Sequence, residues 1–90
     1  MKFMITWSIS TGNYKAAVQR FLATGAPVPE GLKGLGRWHA VGSSRGWFLV
    51  EGDPDAVMQH YSEWADVCDI NVFPVVDDAQ AAAAISKVHG

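Results

Sequence analysis

Three polar side chains within the segment Leu35–Glu51 are the best candidates for chemistry: Arg37, His39 and Glu51. An imidazole gives or takes a proton near neutral pH, so His39 is the candidate catalytic group. A neighbouring carboxylate could orient its ring, and a guanidinium could hold an anionic group of a substrate. The alternative, which we favour, is a structural ion pair between Arg37 and Glu51 with His39 hydrogen-bonded beside it, because buried charges pair whether or not a reaction takes place.

These side chains are positioned by a predicted β-hairpin. Two runs rich in Trp, Phe, Leu and Val flank residues 41–46, VGSSRG. Gly and Ser relax the backbone where a chain reverses, and the large residues suit a pleated surface. A two-residue turn would place His39 opposite Phe48 and leave it without a shared polar site.

We expect a three-residue turn over residues 43–45 instead. This turn places His39 opposite Leu49 and Arg37 opposite Glu51, so that the ion pair forms across the two strands. The other face of the hairpin then carries Trp38, Phe48 and Val50.

The first part of the chain predicts a strand and a helix. Alternation over Lys2–Ile9 divides the side chains between two faces of a strand. One face carries Phe3, Ile5, Trp7 and Ile9, and the other carries Met4, Thr6 and Ser8. A helix follows over Thr11–Thr24, with Thr11 or Asn13 as its N-cap and Gly25 at a left-handed C-cap. Its buried stripe comprises Tyr14, Ala17, Val18, Phe21 and Leu22.

The second part predicts a helix, a strand and a last helix. Asp53 is the N-cap of a helix that starts at Pro54. Its apolar stripe comprises Val57, Tyr61, Trp64, Ala65 and Cys68. That stripe leaves His60 on the polar side. A strand follows over Asp69–Val76, and a helix over Asp77–His89 begins at an acidic cap and continues through four alanines.

Between the first helix and the hairpin, Ala26–Lys33 contains two prolines and a glycine, which is typical of a surface loop. We interpret it as a passive crossover, with a lid or an edge cover as the alternative. The sequence GLKGLG at its end lacks the Lys-Ser/Thr pair of a phosphate-binding loop and precedes a strand, which argues against a nucleotide site.

The order β, α, β, β, α, β followed by a helix predicts one ferredoxin-like α+β domain over residues 1–90. Right-handed crossovers place both long helices on one face of a four-stranded antiparallel sheet. The other face would carry Met4, Thr6, Ser8, Leu35, Arg37, His39, Trp47, Leu49, Glu51, Asn71 and Phe73. A face with so much apolar area is expected to pair with a second copy, and a pocket for a small apolar or aromatic ligand would lie between the two sheets.

The whole chain also resembles a known superfamily. The resemblance rests on the opening MKFMITWSIS, on GxxxPxGLKGLGRWHA from Gly25 to Ala40, on the aromatic-then-LVE strand and on DINVFPVVDD. These segments are similar to an uncharacterised short branch of the dimeric α/β-barrel superfamily, and GRWH is the most specific piece. The resemblance implies a dimeric barrel. Members of the superfamily include cofactor-independent monooxygenases, muconolactone-isomerase-like enzymes and haem-handling proteins, whereas this branch has no assigned reaction.

Composition excludes several classes of function. The net charge is −2 and the seven Lys and Arg are scattered, which argues against nucleic-acid binding. The single cysteine, Cys68, fits a reducing compartment and is interpreted as a small buried hydrophobe. No signal peptide or membrane span is recognised, so we expect a cytoplasmic protein.

The three histidines lack the spacing of metal ligands, and only His39 could serve as an axial ligand to haem. No metal or cofactor is therefore expected.

The leading hypothesis is a homodimeric small-molecule-binding protein of unassigned reaction. One alternative is a cofactor-independent monooxygenase or isomerase acting on a small aromatic substrate, with His39 moving a proton. Another is a protein-interaction or regulatory module that uses the open sheet face. The residues expected to bind substrate are Arg37, Glu51, Trp47, Thr6, Asn71 and Phe73. Of the other tryptophans, Trp7, Trp38 and Trp64 are predicted to be core residues.

Overall fold

Alternate burial along the first strand decides which face of the sheet is covered. In the computed structural model, which describes residues 1–90, Phe3 and Ile5 are buried while Met4 and Thr6 are partly exposed. The elements are β1 (Lys2–Ser8), α1 (Tyr14–Thr24), β2 (Leu32–His39), β3 (Arg45–Gly52), α2 (Pro54–Trp64), β4 (Asp69–Val75) and α3 (Asp78–His89). The strands form one antiparallel sheet in the order β2-β3-β1-β4. This confirms the ferredoxin-like α+β arrangement with a C-terminal helix.

The core lies between the sheet and α2. Its buried cluster comprises Phe3, Ile5, Leu32, Phe48, Val50, Ala56 and Val57. Burying such side chains stabilises the fold by about 25 cal/mol per Å² of apolar surface. The cluster fixes α2 against β1 and β3, and thereby fixes the walls of the space described below.

Several local signals at helix ends act as predicted. Gly25 ends α1 in the left-handed region at φ 72°, and Pro54 occupies the first turn of α2 after Asp53, although the Asp53 side chain makes no capping hydrogen bond. Asp77 and Gln80 form a reciprocal capping box at the start of α3. The start of α1 differs, since a short 3-10 turn precedes it and the side chain of Asn13 makes no capping hydrogen bond.

The hairpin register is different from both predicted registers. The Ala40 amide donates to the Arg45 carbonyl at 2.9 Å, which closes a four-residue turn over residues 41–44. Arg37 therefore lies opposite Phe48, His39 opposite Gly46, and Glu51 opposite Lys33. The predicted pairing of Arg37 with Glu51 and of His39 with Leu49 is wrong.

A β-bulge in β2 changes which residues of this strand share a face of the sheet. The register shifts by one residue between Gly34 and Gly36, so that Leu35 is the extra residue. A bulge moves every following side chain to the opposite face of the sheet, and the two glycines let the backbone bend there. Leu32 and Arg37 consequently point to the same, helix-covered side.

The last helix stands largely apart from the rest of the chain. No residue of α3 is buried, and Ile85 and Val88 are 58% and 76% exposed. The radius of gyration is 15.3 Å, whereas a compact chain of this length has about 12 Å. None of the three helices has the length and apolar character needed to cross a membrane.

Candidate functional site

The predicted site residues separate onto two faces of the sheet. Arg37 and His39 lie beneath the helices, because their partners on β3 are Phe48 and Gly46. The remaining predicted residues lie on the open face, as the pairing of β3 and β4 with β1 requires: Thr6, Trp47, Glu51, Asn71 and Phe73. The structure therefore does not bring Glu51 near His39, and no carboxylate orients that imidazole.

The open face has an apolar centre and a charged rim. Two neighbouring rows across the sheet are mostly apolar and comprise Trp38, Trp47, Thr6 and Asn71, then Gly36, Leu49, Met4 and Phe73. The rows on either side carry Arg45, Ser8 and Asp69 at one end, and Lys33, Glu51 and Lys2 at the other. Trp38 is 55% exposed here, so its predicted place in the core is wrong. The hairpin register that turns Arg37 toward the helices turns its neighbour Trp38 toward the open face, opposite Trp47.

A cavity of about 120 Å³ lies on the other side of the sheet, between the strands and helices α1 and α2. Most of its walls are apolar. The lining residues are Ile5, Trp7, Ile9, Ala17, Val18, Phe21, Ala26, Arg37, His39, Phe48, His60, Tyr61, Trp64, Cys68 and Ile70. No Asp or Glu lines it. The only charged side chain in the wall is thus a cation.

That cation, Arg37, is held rigidly. Its guanidinium carbon lies 4.0 Å from the centroid of the Phe48 ring. Its Nη1 donates to the Gly25 carbonyl at 3.2 Å, and its Nη2 donates to the Ala26 carbonyl at 2.8 Å. These carbonyls follow the C-terminus of α1, where a cation is favoured by the helix dipole. Burial lowers the pKa of Arg37, but a guanidinium remains charged at neutral pH.

His60 is the functional candidate that sequence reasoning missed. It is only 7% exposed, and neither ring nitrogen makes a hydrogen bond; its Nδ1 is buried without any partner. The ring packs edge-on against Phe48, with centroids 5.8 Å apart. Burial lowers the pKa of His60, while the charge of Glu63 raises it and the charge of Arg37 lowers it by smaller amounts. The net effect favours the neutral form of the imidazole.

The predicted placement of His60 on the polar side of its helix is wrong. The buried residues of α2 are Ala56, Val57 and His60. His60 follows Val57 by three residues and precedes Trp64 by four, a spacing that places all three on one helical face. The sequence contains this spacing, but the predicted apolar stripe included Tyr61, and a stripe centred there turns His60 away from the core.

His39 lies at the edge of the cavity. Its ring contacts Trp7 edge-on at 5.4 Å between centroids and meets Phe21 at 5.2 Å. The residue is largely exposed, and its side chain makes no hydrogen bond. The imidazole therefore forms the part of the cavity wall that borders solvent.

Cys68 is half-buried in the cavity wall. Burial raises the pKa of its thiol, which keeps it protonated and unreactive at neutral pH. The structure contains no group of three or more His, Cys, Asp or Glu side chains that could hold a metal ion. The arrangement provides a small apolar space with one cation and two imidazoles that lack hydrogen-bond partners, of which only that of His60 is buried, and this is suited to binding.

Comparison with known proteins identifies a family and no activity. The family model described as "Domain of unknown function (DUF3303)" matches residues 1–89, nearly the whole chain. The chain belongs to the DUF3303 family. A comparison with curated proteins finds no match. The function of this DUF3303 protein must therefore be argued from its own side chains.

Proposed function

We propose that this DUF3303 protein binds a small molecule in the cavity between the sheet and helices α1 and α2. The observation that carries the proposal is the imidazole of His60, which is more than nine-tenths buried in the cavity wall and has no hydrogen-bond partner. Leaving a buried polar group unpaired costs about 1–3 kcal/mol, and a bound ligand would recover that cost. The proposal keeps the leading hypothesis and moves the site away from the open face of the sheet.

We also propose a homodimer formed through the open faces of two sheets, as in the dimeric α/β-barrel superfamily that the GRWH segment resembles. The apolar centre and charged rim of that face match the anatomy of protein interfaces. Helix α3 also favours a dimer. An isolated helix of about 12 residues is only marginally stable in water, and no residue of α3 is buried by its own chain, so contact with a second copy would stabilise it. A heterologous protein docking on the same face is the alternative.

Binding is favoured over catalysis because the predicted catalytic group has lost its supporting carboxylate. His39 lies beside the cavity, whereas Glu51 lies across the sheet from it. A cofactor-independent monooxygenase or isomerase would therefore have to use His39 or His60 without an acidic partner. The lone cysteine is consistent with the proposed cytoplasmic location.

The four tryptophans allow a direct test of the cavity. Trp7 and Trp64 line it, while Trp38 and Trp47 lie on the open face. Each indole N–H gives its own signal in a two-dimensional ¹H–¹⁵N spectrum. Titration with benzyl alcohol, a neutral ring, should shift the signals of Trp7 and Trp64 and leave those of Trp38 and Trp47 in place. Shifts confined to Trp38 and Trp47, or no saturable shifts with benzyl alcohol or with any other single-ring probe, would contradict the proposed site.

A further inference from the structure

We infer that the cavity recognises a single aromatic ring that carries one carboxylate, with Arg37 pairing the carboxylate and the buried imidazole of His60 accepting a hydrogen bond from, or donating one to, a polar substituent of the ring. This inference rests on the proposed binding function and names the chemical class of the ligand. Three features of the cavity carry it: its size, its unbalanced charge and its unpartnered imidazole.

The size fits one ring. The volume is about 120 Å³, and a dry protein cavity of roughly 150 Å³ takes up benzene. The walls are themselves aromatic, with Trp7, Phe21, Phe48, Tyr61 and Trp64 arranged around the space. Aromatic rings attract one another in edge-to-face and offset geometry, beyond the gain from burying their area.

The charge of Arg37 is not balanced within the chain. The structure contains two salt bridges, Lys2 with Asp77 and Arg20 with Asp66, and neither involves Arg37. A guanidinium has five N–H donors, and Arg37 uses two of its nitrogens for one carbonyl bond each. Donors therefore remain for a ligand.

A carboxylate is the group that these donors fit best. Carboxylate oxygens match the planar fork of a guanidinium, and the attraction is stronger in a partly dry cavity than in water. Because the carbonyls of Gly25 and Ala26 already hold Arg37 in place, little side-chain freedom is lost when the anion binds. An anionic ligand also gains from the complete absence of Asp and Glu in the wall.

His60 supplies the second point of recognition. It flanks Phe48 on one side, and Arg37 lies over the same ring. The phenyl ring thus joins the two polar groups into one wall. A hydroxyl group on the ligand ring would form a hydrogen bond with the buried imidazole of His60, which has no partner within the protein.

The test compares five probes of similar size in the wild-type protein at pH 7: benzoate, benzyl alcohol and the 2-, 3- and 4-hydroxybenzoate isomers. Dissociation constants come from the indole N–H shifts of Trp7 and Trp64. We expect benzoate to bind at least tenfold more tightly than benzyl alcohol, and we expect one of the hydroxybenzoate isomers to bind more tightly than benzoate. Equal affinities for benzoate and benzyl alcohol would overturn the inference while leaving cavity binding intact. Absence of binding by every probe would overturn the proposed function itself.

Two variants complete the test. Arg37→Met should remove the preference for benzoate over benzyl alcohol. If Arg37→Met does not fold, the comparison of charged and neutral probes in the wild type still decides the matter. His60→Leu should abolish any advantage of the hydroxyl and retain the advantage of the carboxylate. Retention of the full preference in Arg37→Met would assign the anion to another group and contradict the inference.

Discussion

The guanidinium of Arg37 lies 4.0 Å above the ring of Phe48, the residue opposite it in the hairpin. The same group donates hydrogen bonds to the carbonyls of Gly25 and Ala26. Ala26 has φ 46°, in the left-handed region that costs a non-glycine residue about 1–2 kcal/mol. Arg37 therefore joins the hairpin to a strained chain segment after α1, in addition to any role toward a ligand.

This arrangement predicts that Arg37→Lys destabilises the protein even though the charge is kept. A lysine cannot reach both carbonyls at once or stack as a plane on Phe48, so we expect a loss of about 1–2 kcal/mol in the free energy of unfolding. Arg45→Lys is the matched control, because Arg45 is exposed and makes no salt bridge or side-chain hydrogen bond. Urea denaturation measures both variants, and equal stability of the two would contradict the clamping role.

His60 predicts a dependence of stability on pH. Burial lowers its pKa in the folded state below the ordinary value of about 6.5, so the unfolded chain binds more protons than the folded chain as the pH falls. The free energy of unfolding should therefore decrease as the pH drops below about 6.5. His60→Leu should remove this part of the slope. A wild-type stability that is flat between pH 7 and pH 5 would show that His60 is protonated without cost.

The same variant tests whether His60 contributes to the core. Most buried residues destabilise a protein when replaced, whereas replacing an unpaired polar group by an apolar one of similar size is nearly neutral. We expect His60→Leu to change the free energy of unfolding at pH 7 by less than about 1 kcal/mol, or to raise it. A loss of 2 kcal/mol or more would mean that His60 has a structural partner.

His39 at the mouth of the cavity should matter for binding more than for folding. Its ring contacts Trp7 and Phe21 but makes no hydrogen bond. We expect His39→Ala to lower the free energy of unfolding by less than about 1 kcal/mol and to weaken ring binding roughly three- to tenfold. Thermal unfolding and the indole titration measure the two effects separately. A large fall in melting temperature with unchanged affinity would remove His39 from the site.

The proposed dimer predicts a selective effect on the open face. Leu49→Glu would bury an unpaired charge in the proposed interface between the two sheets and should convert the dimer to monomer at micromolar concentration. Leu22→Glu introduces the same charge on α1, where Leu22 is 76% exposed, and should leave the assembly unchanged. Sedimentation velocity distinguishes the species. A wild-type monomer at that concentration would contradict the dimer.

The fold could be predicted from local signals, because each of them depends on a few neighbouring residues. The alternation of Phe3 and Ile5 gave the covered face of β1, Gly25 ended α1, and Asp77 began α3. The candidate site could not be predicted, because it depends on the length of the hairpin turn. The four-residue turn places Arg37 opposite Phe48 and His39 opposite Gly46, on the covered face, and the turn sequence VGSSRG alone does not decide between turn lengths.

A pair of enlarging substitutions tests most directly whether the ligand lies under the helices, as proposed, or on the open sheet face. Val18→Phe places a larger side chain in the cavity wall. Thr6→Phe is the matched control, because it places a side chain of the same size at the centre of the open face. Benzoate binding to each variant is measured by isothermal titration calorimetry, after far-UV circular dichroism has confirmed folding. If the ligand lies under the helices, Val18→Phe should weaken binding at least tenfold and Thr6→Phe should leave it within twofold. The opposite pattern, with binding lost in Thr6→Phe and retained in Val18→Phe, would contradict the proposed site.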